Sequence, residues 1–151
     1  MKFLPLALCF MAMTAQAASL DVVVSEDNLP VRSFNYVIRD DLQTLDLREQ
    51  HYYDAAFHDP VTKKDICRPG LYMTGLQVAF KSVPKSPASV ELLGNVSSVK
   101  SITDGAKLSC GTHQVVDMKN QAFSQFVDLK PLRPKALVID KKWTLIITLN
   151  P

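Results

Sequence analysis

Near the end of this chain Trp143, Leu145, Ile147 and Leu149 alternate with Thr144 and Thr148. A period of two gathers large apolar side chains on one face only when the backbone is extended. The same period recurs at Leu20, Val22 and Val24 against Asp21, Val23 and Ser25, and over residues 72–80, where Leu76, Val78 and Phe80 share a face. Residues 90–102 carry two alternating runs about Gly94-Asn95, and Val96 and Val99 fall out of a single register across Ser97-Ser98. That pattern predicts a hairpin or a bulged strand. Residues 108–118 and 123–129 add two strands with Asn120-Gln121 between them as a tight turn. Prolines punctuate the series at Pro84 and Pro87, and again at Pro131 and Pro134. Short strands joined by such turns predict a mainly β, single-domain antiparallel β-sandwich or partly open barrel.

A helical signal interrupts the pattern once. Leu42, Leu45, Tyr52, Tyr53 and Ala56 recur near helical spacing behind Asp40 and Asp41, which suit an N-cap. A short helix is therefore expected over residues 41–57, packed on the sheets. The competing strand reading rests on Leu45, Leu47 and the β-favouring Tyr52-Tyr53 pair.

Lys2, the apolar residues 3–13 and the small-residue sequence Ala15-Gln16-Ala17 have the form of a cleaved secretory signal peptide over residues 1–17. The expected mature protein, residues 18–151, is then periplasmic or secreted. No later segment is long and apolar enough to span a bilayer. Loss of the leader removes Cys9 and leaves Cys67 and Cys110 as the pair expected to form a disulfide in an oxidising compartment. The alternative for these residues is Cys110-Gly111-Thr112-His113 as an imidazole-activated thiolate or half of a metal site.

A net charge of +2 conceals an uneven distribution. Residues 18–60 hold three basic and nine acidic side chains, whereas residues 61–151 hold 13 basic and six acidic. Such asymmetry either presents opposed surfaces to a partner or is neutralised between adjacent strands. Lys130, Arg133, Lys135, Lys141 and Lys142 crowd a loop and the start of the last strand, and form a candidate site for an acidic partner. Only Trp143 lies near these cations as a stacking group, so nucleic acid is not the expected partner.

The chain has no Gly-x-Ser-x-Gly, Ser-x-x-Lys or His-Glu-x-x-His motif and no Gly-rich phosphate loop. Its densest polar constellation is His51, Tyr52, Tyr53, Asp54, His58 and Asp59. On a helix, His51, Asp54 and His58 would share a face as ligands of a hydrolytic metal. Tyr52, Tyr53 and Phe57 read more readily as anchors of a protein contact, because aromatic rings bring large area at low entropic cost. The alternating segments near both ends raise a further alternative, a pilus or fibre subunit or adhesin that assembles by strand exchange. Together the residues predict a cofactor-free, non-enzymatic protein that binds another macromolecule, of inhibitor, immunity or secretion-accessory type. Tyr52, Tyr53 and Phe57 are its first candidate surface, and the basic residues are the second.

Overall fold

The computed structural model describes residues 18–27, 29, 32–39, 41–84 and 86–151. The expected signal peptide lies outside them. Two antiparallel four-stranded sheets pack face to face as a β-sandwich that does not close into a barrel. The short sheet contains β1 (Ser19–Glu26), β2 (Arg32–Val37), β7 (Lys135–Ile139) and β8 (Trp143–Asn150), in the order β2-β1-β8-β7. The long sheet runs in sequence order through β3 (Gln43–Asp59), β4 (Lys64–Val83), β5 (Ser86–Leu108) and β6 (Gly111–Asp128).

The alternating segments form the core as expected. Val22, Leu145, Ile147, Leu76 and Val78 have no exposed surface, and Leu92 and Val90 are nearly as deep. The inner faces of β1 and β8 thus meet those of β3, β4 and β5, with Trp143 and Leu149 closing the two ends of the β8 stripe. Asp21 ties three strands of the short sheet together. It accepts hydrogen bonds from Asn35 Nδ2 on β2 and Asn150 Nδ2 on β8, both at 2.6 Å, and these hold its carboxyl below the usual carboxylate range.

Three expectations are corrected. Residues 41–57 are not a helix: β3 spans Gln43–Asp59 and pairs residue for residue with β4, from Gln43↔Phe80 to Asp59↔Lys64. Backbone pairing along the whole length supplies what helical spacing in the sequence could not, a partner for every extended residue. Asn120-Gln121 is not a turn, because β6 runs straight through it, opposite Ser97 and Val96. The strands of the long sheet are not short either. β5 is one bulged strand of 23 residues, interrupted between Val99 and Ser101 and between Asp104 and Lys107.

The terminal strands that suggested strand exchange pair with each other, from Ser19↔Asn150 to Glu26↔Trp143. Each has a second neighbour on its other side, so neither is a free edge of the sheet. The acidic and basic halves of the sequence also interleave: β1 lies beside β8, β3 beside β4, and Lys142 forms an ion pair with Glu26. Truncation of Ile147 to Ala is expected to remove about 2–5 kcal/mol of stability, as for other fully buried aliphatic side chains, with the urea midpoint falling at unchanged m-value.

Candidate functional site

The strands of the long sheet outrun the short sheet. Hydrogen-bonded pairing between β4 and β5 stops at Gly75↔Ser97, whereas β3–β4 continues to a turn at residues 60–63 and β5–β6 to one at residues 109–110. Gly75 permits the fork. Its φ is +120°, and a Cβ there would lie 2.6 Å from the carbonyl oxygen of Leu47. Beyond this point the sheet becomes two hairpin arms, and a cavity of about 430 Å³ opens where the short sheet ends, between Glu26, Lys142 and Trp143 on one side and Glu49, Thr74 and Ser97 on the other.

The arms are tied together away from the core. Cys67 on β4 is bonded to Cys110 in the β5–β6 turn, with Cα atoms 5.9 Å apart. The alternative reading of Cys110 and His113 as a thiolate pair is therefore not realised. His113 Nδ1 instead accepts the Ala56 N–H at 3.2 Å, so the neutral ring carries its proton on Nε2. Gln114 Oε1 accepts the Asp54 N–H at 3.1 Å. In this way two side chains of β6 occupy the outer edge of β3.

Asp65 completes the tie. It accepts from Ser109 N at 2.8 Å and Ser109 Oγ at 2.6 Å, and it meets His58 Nδ1 at 2.8 Å. The Ser109 hydroxyl first, then His58 and the Ser109 amide, stabilise the carboxylate and lower its pKa to about 2.

Strand alternation decides what the β3–β4 arm presents. The face that is core at Leu45, Leu47, Leu76 and Val78 continues past the end of the short sheet through the pairs His51↔Tyr72, Tyr53↔Gly70, Ala55↔Arg68 and Phe57↔Ile66. The His51 and Tyr72 rings stack at 5.1 Å, Tyr53 tilts against Tyr72 at 6.2 Å, and the Arg68 guanidinium lies 5.2 Å from the Phe57 ring centroid. His51 Nε2 is 2.8 Å from Thr74 Oγ1, which orients the imidazole. Tyr53 lies across its own cross-strand partner: a Cβ on Gly70 would stand 2.2 Å from the tyrosine ring.

The first candidate surface is thus divided between two faces. Tyr53 and Phe57 lie in the aromatic row with His51, and Tyr52 points to the opposite face, 70 % exposed beside its cross-strand neighbour Leu71. Alternation also separates the three suggested metal ligands, since His51 shares the face of Tyr53 whereas Asp54 and His58 share that of Tyr52. Among the described residues no group of three or more His, Cys, Asp or Glu side chains is placed to hold a metal ion.

The basic cluster is divided as well. Lys130, Arg133 and Lys135 lie at one end of β7 and Lys141 and Lys142 at the other, about 13 Å away along the strand. Tyr72, Arg68, Gly70 and Thr74 belong to the row but were not among the sequence candidates. Only the β3–β4 register brings them there.

Two outcomes test the tie between the arms. Replacing Cys67 and Cys110 by Ser releases a loop of 43 residues and should lower stability by about 4 kcal/mol on the loop-entropy model, read from urea unfolding. A carboxyl lowered to about 2 contributes stability that is complete above its unfolded value of 3.8 and lost as pH falls through that window. The Asp65 side-chain carbon should therefore titrate near 2 by NMR, and Ser109→Ala should move it up toward 3.8. Comparison of the chain with protein-family models, with curated proteins and with solved structures finds no match.

Proposed function

We propose that this is a secreted, non-enzymatic protein that captures another protein through the aromatic row of its disulfide-tied arm. The observation that carries the reading is the continuation of the core face beyond the short sheet as His51, Tyr72, Tyr53, Phe57 and Arg68. Rings already stacked on one another lose little freedom when a partner covers them, and tyrosine, arginine and their neighbours are the residue types that dominate protein contacts. The disulfide and the hydrogen bonds of His113, Gln114 and Asp65 pre-organise that surface. A partner then need not order the arm in order to bind it.

The same disulfide supports secretion, because paired cysteines persist in oxidising compartments. Tyr52 and Leu71 on the reverse face offer a subsidiary contact, and Lys142, which lines the cavity beside Glu26, offers an electrostatic one. The strand-exchange alternative is the less favoured reading, because β1 and β8 satisfy each other.

Capture from the envelope and medium of the producing cells, with the oxidised chain as bait, tests the proposal. Tyr53→Ala and Phe57→Ala should each weaken retention of the captured protein about thirtyfold, the scale of a hot-spot residue, while circular dichroism stays unchanged. Lys130→Ala, at the far end of the sandwich, should leave capture intact. Retention that survives both aromatic substitutions sinks the reading.

A further inference from the structure

We infer that the seam between β3 and β6 is a pH-sensitive latch, closed by neutral His113 and opened by its protonation while the disulfide-tied tip stays shut. β3 is the first strand of the long sheet, hydrogen-bonded as a strand only to β4. Beyond the fork two of its outward N–H groups are satisfied from β6, that of Asp54 by Gln114 Oε1 at 3.1 Å and that of Ala56 by His113 Nδ1 at 3.2 Å. These two acceptors differ in one respect. A glutamine carbonyl oxygen accepts at any pH, whereas an imidazole accepts only through a ring nitrogen that carries no proton.

Protonation removes the acceptor and leaves the donor in place. Both nitrogens of an imidazolium carry hydrogen, so no rotation of the charged ring offers Ala56 a lone pair, and as placed the Nδ1–H and the Ala56 N–H would be directed at each other. Ala56 is buried, and the ring is flanked by β5, where a Cβ on Gly105 would lie 3.4 Å from His113 Cδ2. A buried N–H left without a partner costs more than an ordinary hydrogen bond contributes net. The closed seam is thus the arrangement that acid disfavours, and parting β3 from β6 lets water take up both N–H groups.

The tip responds in the opposite sense. His58 Nδ1 lies 2.8 Å from Asp65 Oδ1, and protonation of that ring adds charge to the hydrogen bond. Asp65 also holds Ser109 N and Oγ, and its lowered pKa of about 2 keeps it ionised while histidines titrate. The Cys67–Cys110 bond does not titrate at all. The remaining charged groups about His113 are Asp54 on β3, Arg68 on β4, and Asp104 and Lys107 on β5, and none of them is ion-paired to the ring. Two favour the imidazolium and two oppose it, so the neighbours do not commit the ring to one state. Acid therefore frees the outer edge of β3 and leaves the tip as the hinge.

Nuclear magnetic resonance of the full oxidised chain tests this between about pH 7.5 and about pH 5, the interval in which histidine side chains change charge. At the upper end the His113 ring should show a bare Nδ1 and a protonated Nε2. On acidification the protection of the Ala56 amide, corrected for intrinsic exchange, should fall about tenfold, while the amides of Ser109 at the tip and Ile147 in the core keep theirs. His113→Gln supplies an acceptor that does not titrate and should hold Ala56 protected at both ends, whereas His113→Ala should leave it unprotected at both. A ring protonated on Nδ1 at the upper pH overturns the inference, and so does equal protection of Ala56 throughout. Parallel loss at Ser109 or Ile147 overturns it too, because the change is then general unfolding. A His113→Gln chain that still loses protection in acid assigns the seam to another group. None of these readings uses a binding partner, so the latch and the aromatic row stand or fall separately.

Discussion

Packing of Val22, Leu145 and Ile147 on Leu76, Val78 and Leu92 is the contact on which the rest of the molecule depends. It is made between strands of unequal length. β1 and β8 have eight residues each, so the short sheet covers only part of strands that run to 17, 20, 23 and 18 residues. Hydrophobic burial stabilises the covered part at about 25 cal/mol per Å² of apolar surface. The uncovered part must be held by something else, and that need explains the architecture beyond Gly75.

In the arms, covalent and polar links stand in for a second layer. The disulfide limits how far the unfolded arms can separate, and Asp65, His113 and Gln114 connect the two hairpins where no backbone ladder does. An isolated two-stranded hairpin is at best marginally stable in water. Two hairpins joined at their tips and rooted in one sheet are each other's support. The aromatic row adds to this, since His51, Tyr72 and Tyr53 rest on one another, Tyr53 lies over Gly70, and Phe57 is covered by the Arg68 guanidinium.

The sandwich was legible in the sequence because its strands are buried on one face. Leu20, Val22 and Val24, the Leu76-Val78-Phe80 series and the final Trp143–Leu149 alternation all report a hydrophobic layer directly, and the Cys67–Cys110 pairing followed from the count of cysteines left after a leader. The arms were not legible, because a strand with no covering layer has no reason to alternate. Beyond Leu45 and Leu47, Gln43–Asp59 places Tyr, Ala and His on both faces, which is why helical spacing fitted it as well as strand spacing did. β6 hid its continuity for the same reason, with Asn120 and Gln121 polar on both sides. The candidate residues at 51–58 are divided between two faces of β3, and that division depends on a register with β4 that no single strand contains.

Asp21, already seen bridging Asn35 and Asn150, joins residues 129 positions apart in the chain. β1 leaves the ribosome early but has its principal partner, β8, only after every other strand has been made. The short sheet is therefore of high contact order and cannot close while the chain is still being extended. Until then β1 has β2 alone as a hydrogen-bonded neighbour in its sheet. Because Leu145, Ile147 and Leu149 all come from that last strand, the inner face of the short sheet is complete only when the whole of the chain through β8 is present.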